Sequence, residues 1–450
     1  MRLKTFAPAA AACIAGAVAA SAQAQTPAPA APPPAAPAAA PAPTGFWDSI
    51  KYSGHLEAGI SGNPDDPANH INFGQLFTDR ANFPRINQIM ANVERDLDPK
   101  NPDFDVGFKF TGMYGTDSRI THFYNELDRV TRSPYQWDIV EADVQAHVPL
   151  ASTNGIDLKL GQYPTPLGAE VIDATGNPLY SHTYIFNYGL PFKHTGALAT
   201  FHVNDTIDLW GGIDTGVNDS IGQGMNNDEF PKALFGFGLN GLVDGNLTIL
   251  ALAHIGPENP VATPGATLGI PGANNYVREY YDVVVTYKFN DNLTSMTEFN
   301  RIHDDYFNAT AGGVAQYLTY TINDQWSVTG RAEAFADQSG SHGFCGFVAQ
   351  PQRPLDYVDG ERGLAFPTND TYCANSNTGR AFNAVYGALT LGATYKPPVA
   401  LGPLSLMLRP EVRYDQVIGG SNVKPFDINA SGVGTKSNQF TIAMDAILAF

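Results

Sequence analysis

The sequence is poor in basic residues, in cysteine and in long apolar segments. Its 26 lysine and arginine residues are outnumbered by 44 aspartate and glutamate residues, which gives a formal net charge of −18. Because nucleic-acid binding needs a basic surface, this balance argues against a nucleic-acid partner. After the N-terminal region no segment approaches the length of about 18 apolar residues that a transmembrane helix needs, so spanning helices are excluded.

The N-terminus has the pattern of an export signal followed by a linker. Arg2 and Lys4 precede an apolar stretch that ends in small residues, which predicts a signal peptide over residues 1–24 and cleavage on export. Residues 25–44 contain only Ala, Pro, Thr and Gln, a composition that favours extended polyproline-like chain and cannot bury a core. We therefore expect one folded domain over residues 45–450.

Cysteine usage indicates at most one disulfide in the mature chain. Cys13 lies in the signal peptide, which leaves Cys345 and Cys373. Since disulfides persist outside the cytoplasm, we expect these two to pair and restrain a long loop, rather than to serve redox chemistry or bind a metal. The ten histidines form no cluster in the sequence, so no metal site and no cofactor is predicted.

Apolar and polar residues alternate in segments that match a tilted membrane strand of about 10 residues. In the last segment, Phe440, Ile442 and Met444 alternate with Thr441 and Asp445. The same alternation recurs in segments near residues 50, 281, 326 and 404. A secreted sandwich would also alternate, but here aromatic residues crowd the segment ends, as in barrels whose apolar face contacts lipid and whose polar face lines the lumen.

Connections between these segments fall into a short class and a long class. Tight turns rich in Asn, Asp and Gly occur at 203–207, 243–247, 289–293 and 322–326. Long polar segments occur at 61–82, 117–134, 165–193, 218–231, 257–275, 306–313, 337–381 and 418–437. About sixteen strands then fit, near residues 50, 86, 104, 138, 156, 195, 207, 232, 247, 277, 293, 314, 326, 383, 404 and 438.

This arrangement puts every short turn on one side and every long loop on the other. The sequence therefore predicts an all-β fold, a transmembrane antiparallel β-barrel of about 16 strands, with short periplasmic turns and long extracellular loops. Both termini fall on the short-turn side, so the last strand can pair with the first and leave no open edge. Phe450 then lies at the membrane interface.

Three stretches resemble the OmpL-like β-barrel porin family. They are "NFGQLFTDRANFPRINQIMANVERDLD" at 72–98, "GMYGTDSR" at 112–119 and "LKLGQYPTPLGAEVIDATGNPLYSHTYIFNYGLPFKHTGALATFHV" at 158–203. The resemblance implies an outer-membrane diffusion channel without a catalytic residue. The terminal aromatic Phe450 also resembles the signal by which barrel-assembly machinery recognises outer-membrane proteins.

Charged residues on the predicted polar faces are candidates for pore lining. They are Lys51, Glu57, Lys109, Glu141, Asp143, Lys159, Arg331, Glu333, Arg409, Glu411, Arg413 and Asp415. Alternating signs in the lumen would impose a transverse field on solutes, and charge reversal of Arg409 with Arg413 would then alter ion selectivity. A salt-bridge ladder that only stabilises the wall is the other interpretation.

The loop 165–193 is the candidate for a constriction inside the barrel. It carries Glu170 and Asp173, and Lys193 and His194 mark its return to the wall. A loop that merely covers the mouth of the barrel is the alternative.

The predicted function is a porin of the Gram-negative outer membrane for passive diffusion of small hydrophilic solutes and ions. Its expected partners are outer-membrane lipid and lipopolysaccharide, these solutes and the barrel-assembly machinery, and a homotrimer is a candidate assembly. The alternative is a barrel that acts through its external loops, foremost 337–381, as adhesin or receptor. No enzyme is predicted, because adjacent residues such as Ser181 and His182 rarely aim a hydroxyl and an imidazole at each other.

Overall fold

The structure is a computed structural model in which the described part of the chain begins at Gly45. It describes residues 45–98, 102–123, 126–127, 130–131, 134–151, 153–217, 219–220, 227, 231–259, 271–306, 308–337, 384–398, 402–420, 424–430 and 434–450. The predicted signal peptide, the linker, Cys345 and Cys373 lie outside the described residues.

Antiparallel β-strands make up most of the described chain. The strands are Lys51–Gly62 (β1), Arg85–Arg95 (β2), Asp105–Gly115 (β3), Gln136–Val148 (β4), Ile156–Pro164 (β5), Lys193–His202 (β6), Ile207–Asp214 (β7), Lys232–Gly241 (β8), Leu247–Gly256 (β9), Arg278–Lys288 (β10), Leu293–Asp304 (β11), Ala309–Asn323 (β12), Trp326–Asp337 (β13), Ala384–Tyr395 (β14), Ser405–Gly420 (β15), Phe426–Ile428 (β16), Gly434–Lys436 (β17) and Asn438–Ala449 (β18). Within the described residues, sixteen of them form one closed barrel, and β16 and β17 form a separate hairpin.

Helical segments are short and lie in the connections. They are the 3₁₀ turns Trp47–Ser49, Ala174–Gly176 and Ala273–Asn275, the helical turn Ser118–Thr121, the π-helical turn Ile185–Gly189 and the left-handed turn Leu242–Gly245. In the described segments, no helix has both the length and the apolarity needed to cross a membrane.

The first and last strands close the ring. β1 pairs with β18 in a register that runs from His55 opposite Ala449 to Gly62 opposite Ile442. The Phe450 amide donates to the Gly54 carbonyl at 3.0 Å, and the Gly54 amide donates back at 3.3 Å. The predicted closure is therefore confirmed, and the described ring of strands has no open edge.

Side chains alternate between the outer and inner faces of the wall, as predicted. On β18, Phe440 and Ile442 are 40% and 55% exposed, whereas Thr441 and Asp445 are each 1% exposed. The apolar side chains thus point outward and the polar ones inward, the reverse of a water-soluble sandwich and the arrangement that lipid requires.

The predicted strand count is confirmed, with differences at two places. β12 begins at Ala309, about five residues earlier than predicted, because small side chains at Ala309 and Ala311 are buried on its inner face. The predicted loop 418–437 contains the hairpin of β16 and β17, whose Phe426 is buried against Phe73. Neither the added residues 309–313 nor the three-residue strands of the hairpin are long enough to show a clear alternation in the sequence.

Candidate functional site inside the barrel

The segment 165–192, here called the inner loop, crosses the interior of the barrel. It leaves the wall after β5 and returns at β6, with the Thr165 amide bonded to the Phe192 carbonyl at 2.9 Å. Between these ends it contacts β2, β10, β11, β13 and β15. In the ring of sixteen strands β13 lies opposite β5, so the loop spans the lumen rather than covering the mouth.

Arg331 on β13 binds the loop through both of its terminal nitrogens. Its Nη1 donates to Glu170 Oε1 at 2.8 Å and to the Ser181 carbonyl at 2.6 Å, and Nη2 donates to Ser181 Oγ at 3.1 Å. The Tyr317 hydroxyl also donates to Glu170 Oε1, at 2.9 Å. This site joins a loop carboxylate to the far wall of the barrel.

Glu170 is ionised in this environment. Burial alone would raise its pKa, but the Arg331 guanidinium, His182 and the Thr183 amide together lower the pKa of Glu170 to about 2. The amide of Thr183 donates to Glu170 Oε2 at 2.9 Å. The carboxylate thus has donors on both oxygens, which is what a buried charge needs to be tolerated.

β15 provides two more guanidinium groups to the loop. Arg409 Nη1 donates to the carbonyls of Ala174 and Asn177 at 2.8 and 2.7 Å, and Arg413 Nη1 donates to the His182 carbonyl at 2.7 Å. Loop carbonyl groups that left water on entering the barrel therefore have charged donors from the wall.

The acidic residues of β13 and β15 bind loop amides in the same way. Glu411 Oε2 accepts from the Tyr180 and Ser181 amides at 2.9 and 3.1 Å, and Glu333 Oε2 accepts from the Tyr184 amide at 2.6 Å. The Tyr184 hydroxyl donates to Asp415 Oδ1 at 2.8 Å. Burial, with Asp415 and Glu333, raises the pKa of Tyr184 well above its usual range, so the phenol remains a donor.

A second segment, residues 63–84 between β1 and β2, packs on the inner loop and is here called the first loop. Phe77 lies 5.4 Å from Phe186 between ring centroids. Gly74 has a φ of +84°, and a Cβ there would be 2.8 Å from Tyr184 Cε1. The apolar core of the described residues thus lies inside the barrel, between these two loops and the wall.

The predicted lumen residues separate into a covered group and an accessible group. All face inward, but Arg331, Arg413 and Asp415 have fully buried side chains under the inner loop. By contrast, the Lys109 and Lys159 side chains on β3 and β5 are 34% and 30% exposed. In the ring β13 lies opposite β5, whereas β15 is separated from β3 by β18, β1 and β2.

The accessible group is a network of alternating charges. Glu141 accepts from Lys159 Nζ at 2.7 Å and lies 3.4 Å from Lys109 Nζ. Asp143 lies 3.6 Å from Lys159 Nζ, and Glu94 on β2 lies 3.3 Å from Lys109 Nζ. Two ammonium groups and three carboxylates therefore line this part of the wall.

The remaining predicted residues have separate positions. Glu57 is buried with Arg409 at 3.1 Å, and Lys51 forms an exposed pair with Asp96 at 2.6 Å. Asp173 is 38% exposed at its side chain and lies 3.7 Å from His55 Nδ1. That the predicted residues line a conducting pore stays a prediction.

Several residues that hold the inner loop were not identified from the sequence. Asp282 and Glu298 accept from the Gly168 and Ala169 amides at 3.0 and 3.2 Å, and Gln88 donates to the Ile172 carbonyl at 2.7 Å. Asp282 lies on a predicted polar face, but nothing in its alternation distinguishes a residue that binds a loop from one that contacts water.

Lys193 and His194, predicted to mark the return of the loop to the wall, have buried partners. Lys193 Nζ lies 2.5 Å from Asp138 Oδ1, with both side chains fully buried. His194 meets Asp214 and His254, and their ligand-type atoms all lie within 4.8 Å of one another. The ten histidines are scattered in the sequence, and only the strand register brings these two together.

One family model matches nearly the whole described chain. It is described as "Putative beta-barrel porin-2, OmpL-like" and matches residues 49–450. No curated protein sequence matches the chain.

Several solved structures of bacterial proteins match this chain over most of its length. The high-pH structure of OprB from Pseudomonas putida matches with a TM-score of 0.52 and 12% identity, over 89% of this chain and 94% of that one. The anion-selective porin from Comamonas acidovorans has a TM-score of 0.49 and 11% identity, over 89% and 99% of the two chains. DcaP of Acinetobacter baumannii, an outer membrane channel, has a TM-score of 0.49 and 12% identity, over 89% of this chain and 97% of that one. At such identity the likeness to OprB shows the fold alone.

Proposed function

The chain belongs to the OmpL-like β-barrel porin-2 family, and from this premise we propose that it forms an aqueous channel for passive diffusion of small hydrophilic solutes and ions. Membership in a porin family assigns the barrel to the outer membrane, in accord with its apolar outer face. Export by residues 1–24 and recognition of the C-terminal strand by the barrel-assembly machinery are parts of the same proposal. Cross-linking in native membranes tests whether three barrels associate.

The solute path in this proposal runs along β2 to β5. There Lys109 and Lys159 remain partly exposed on the inner face, whereas the charges of β13 and β15 are covered by the inner loop. The observation that carries the proposal is this accessible polar wall inside a closed barrel.

The inner loop narrows the path and defines its shape. Arg331, Arg409 and Arg413 hold the loop across the lumen through its carbonyl groups. We assign these three residues to anchoring. They affect a passing solute only indirectly, because they fix the position of the loop. In this proposal the loop is the constriction rather than a cover of the mouth, and Arg409 and Arg413 belong to a wall network rather than to a field that acts directly on solutes.

Ion selectivity then depends on the accessible group. Near the lysines the carboxylates outnumber the ammonium groups by three to two, counting Glu94, Glu141 and Asp143. At low salt this surplus favours cations modestly, because Glu141 and Asp143 are largely buried beside the lysines, and the charges that do face water are screened.

The experiment that tests the proposal is single-channel recording of the refolded protein, without residues 1–24, in a planar bilayer under a salt gradient. Discrete conductance steps are expected, with a reversal potential of weakly cation-selective sign. Liposome swelling with neutral sugars of increasing size gives the upper size of the solute. Heat-modifiable migration on gels serves as the control that the barrel has folded.

A barrel that inserts and is folded but gives no conductance steps and no swelling would overturn the proposal. The adhesin or receptor alternative would then have to be pursued with residues 337–381 as the first segment to delete. In that deletion, unchanged conductance is the result expected of a porin whose path is defined by the inner loop.

A further inference from the structure

Two histidines and an aspartate meet on the inner face at the end of the inner loop. His194 lies on β6, Asp214 at the end of β7, and His254 on β9, and all three side chains are fully buried. His254 Nε2 lies 2.9 Å from Asp214 Oδ1, and His194 Nδ1 lies 3.5 Å from Asp214 Oδ2. The two imidazole rings are 4.8 Å apart between centroids.

These separations are those of ligands around one small cation. In a tetrahedral zinc site with bonds of about 2.0 to 2.1 Å, neighbouring ligand atoms are about 3.3 Å apart. Measured to the single oxygen Asp214 Oδ2, His254 Nε2 lies at 3.1 Å and His194 Nδ1 at 3.5 Å, and these two distances bracket that value. Imidazole nitrogen and carboxylate oxygen together are a ligand set that suits zinc and other first-row divalent metals.

The second ring nitrogen of each histidine has its own outer neighbour. His194 Nε2 lies 3.0 Å from Thr165 Oγ1, and His254 Nδ1 lies 3.7 Å from Glu258 Oε1. Metal-binding histidines usually carry an outer hydrogen bond that fixes the ring and the tautomer, and Thr165 gives His194 this partner. At 3.7 Å Glu258 is a charged neighbour of His254 and not a hydrogen-bond partner. Both rings here have the remaining nitrogen directed at the same carboxylate.

Buried polar atoms around this group lack hydrogen-bond partners. They are His194 Nδ1, His254 Nδ1 and Glu258 Oε1. Leaving a buried polar atom without a hydrogen-bond partner costs folding free energy, so such atoms in a native structure usually bind a water molecule or an ion. For His194 Nδ1, which points at Asp214, a bound cation supplies that partner.

The local charges also favour a cation. Asp214 and Glu258 are both buried, and the ammonium group nearby is that of Lys232, whose Nζ donates to the Thr215 carbonyl at 2.7 Å. With neutral imidazoles, two carboxylates and one ammonium leave one negative charge in the group. The net negative charge would stabilise a bound divalent ion even with Lys232 present.

We propose that His194, Asp214 and His254 bind a divalent transition-metal ion of the zinc class, with a water molecule in the fourth position. The inner loop ends one residue before β6, so the ion would tie the return of that loop to β7 and β9. This is a structural role, and it does not depend on whether the channel conducts.

The test is zinc binding by the untagged, refolded barrel after removal of metals with a chelator. Competition with a zinc-chelating dye is expected to show one Zn²⁺ per barrel, and Mg²⁺ at the same concentration is expected not to compete. X-ray absorption at the zinc edge should then report two imidazole ligands and no sulfur. Zn²⁺ should also slow chymotrypsin cleavage within 165–192.

Variants locate the site. His194→Gln, Asp214→Asn and His254→Gln are each expected to abolish stoichiometric binding, and Glu258→Gln to weaken it by about 10- to 100-fold. His202→Gln is the matched control, because His202 also lies on β6 with an aspartate, Asp208, at 2.7 Å from its Nδ1. Its zinc binding should equal that of the wild type.

No zinc bound by the folded wild-type barrel would overturn the proposal, and the group would then be a hydrogen-bonded cluster alone. Equal binding by the wild type and by His194→Gln would overturn it as well. Since the wild-type stoichiometry and the absorption spectrum need no variant, a variant that fails to fold does not affect the decision.

Discussion

Glu170 and Arg331 form an ion pair of 2.8 Å between a loop and the wall on the far side of the barrel. Both side chains are almost fully buried. Removal of one partner from such a pair leaves an uncompensated buried charge, at a cost of about 3 to 5 kcal/mol. The pair is therefore the most direct point at which docking of the inner loop can be tested.

Glu170→Gln is expected to loosen the inner loop and to increase the single-channel conductance. The loop contains several aromatic residues and no lysine or arginine, so chymotrypsin cleavage mapped by mass spectrometry reports its release. Asp173→Asn makes the same change of charge at an exposed position in the same loop and should leave both readouts near wild type. Unchanged conductance and cleavage in Glu170→Gln would contradict the anchoring role.

Acidic pH is expected to release the loop only at low values. Because the pKa of Glu170 is lowered to about 2, its ionisation stabilises the docked state. That stabilisation is complete above the ordinary glutamate value of about 4.3 and is lost as the pH falls toward 2.

Conductance recorded from pH 7 to pH 2.5 checks this expectation. The wild type should change mainly below pH 4, and the part of that change due to Glu170 should be missing in Glu170→Gln. A transition near pH 6 with the same midpoint in both proteins would assign the release to other groups.

Lys159→Glu is expected to make the channel more cation-selective. At about 4 Å in water a unit charge shifts the energy of a monovalent ion by about 1 kcal/mol, or about fivefold in permeability. Since Lys159→Glu changes the charge by two units and acts on cations and anions in opposite directions, the ratio of cation to anion permeability should rise by at least about fivefold. Lys396→Glu is the matched control, since Lys396 lies in the turn after β14, exposed and away from the accessible group. Reversal potentials under a salt gradient measure the ion selectivity of both variants. Equal shifts in Lys159→Glu and Lys396→Glu would refute a solute path along β2 to β5.

Gly74→Ala is expected to destabilise the packing of the first loop on the inner loop. The left-handed backbone costs about 1 to 2 kcal/mol for any residue with a Cβ, and the close contact with Tyr184 adds about 1 to 3 kcal/mol. Gly402→Ala separates these effects, because Gly402 has a φ of +68° and a Cβ there would meet nothing within 4 Å. Denaturant unfolding in detergent should show the larger loss for Gly74→Ala, and equal losses would show that Tyr184 moves aside at no cost.

The wall of the barrel could be predicted from the sequence because strands and turns are encoded within short segments of neighbouring residues. Alternation over Phe440 to Asp445 shows both the strand and the face that contacts lipid, and four tight turns fix the sidedness of the connections. Antiparallel pairing of the last strand with the first then follows from the even number of strands, and the structure confirms this pairing.

The interior could not be predicted because its contacts are not local. Alternation correctly directs Arg413 inward, but it does not show that the His182 carbonyl, far away in the sequence, covers this side chain. For the same reason Lys159 and Arg331 look equivalent in the sequence, although one is partly exposed and the other buried. His194 on β6 and His254 on β9 likewise meet only after the four strands from β6 to β9 have been placed in register.

The contacts that hold the inner loop also bear on how the barrel is made. Glu170 and Arg331 are 161 positions apart, and Ser181 and Glu411 are 230 positions apart. Such distant contacts form late, since they require β13 and β15 to be in place, so the loop docks only when the ring is nearly complete. The lumen of a newly closed barrel would then be wider than that of the mature one, and in the proposed channel this would expose the cell to leakage until the loop docks. Fast docking would therefore protect the cell during biogenesis, and slow-docking variants should be toxic when overproduced even if their final conductance is normal.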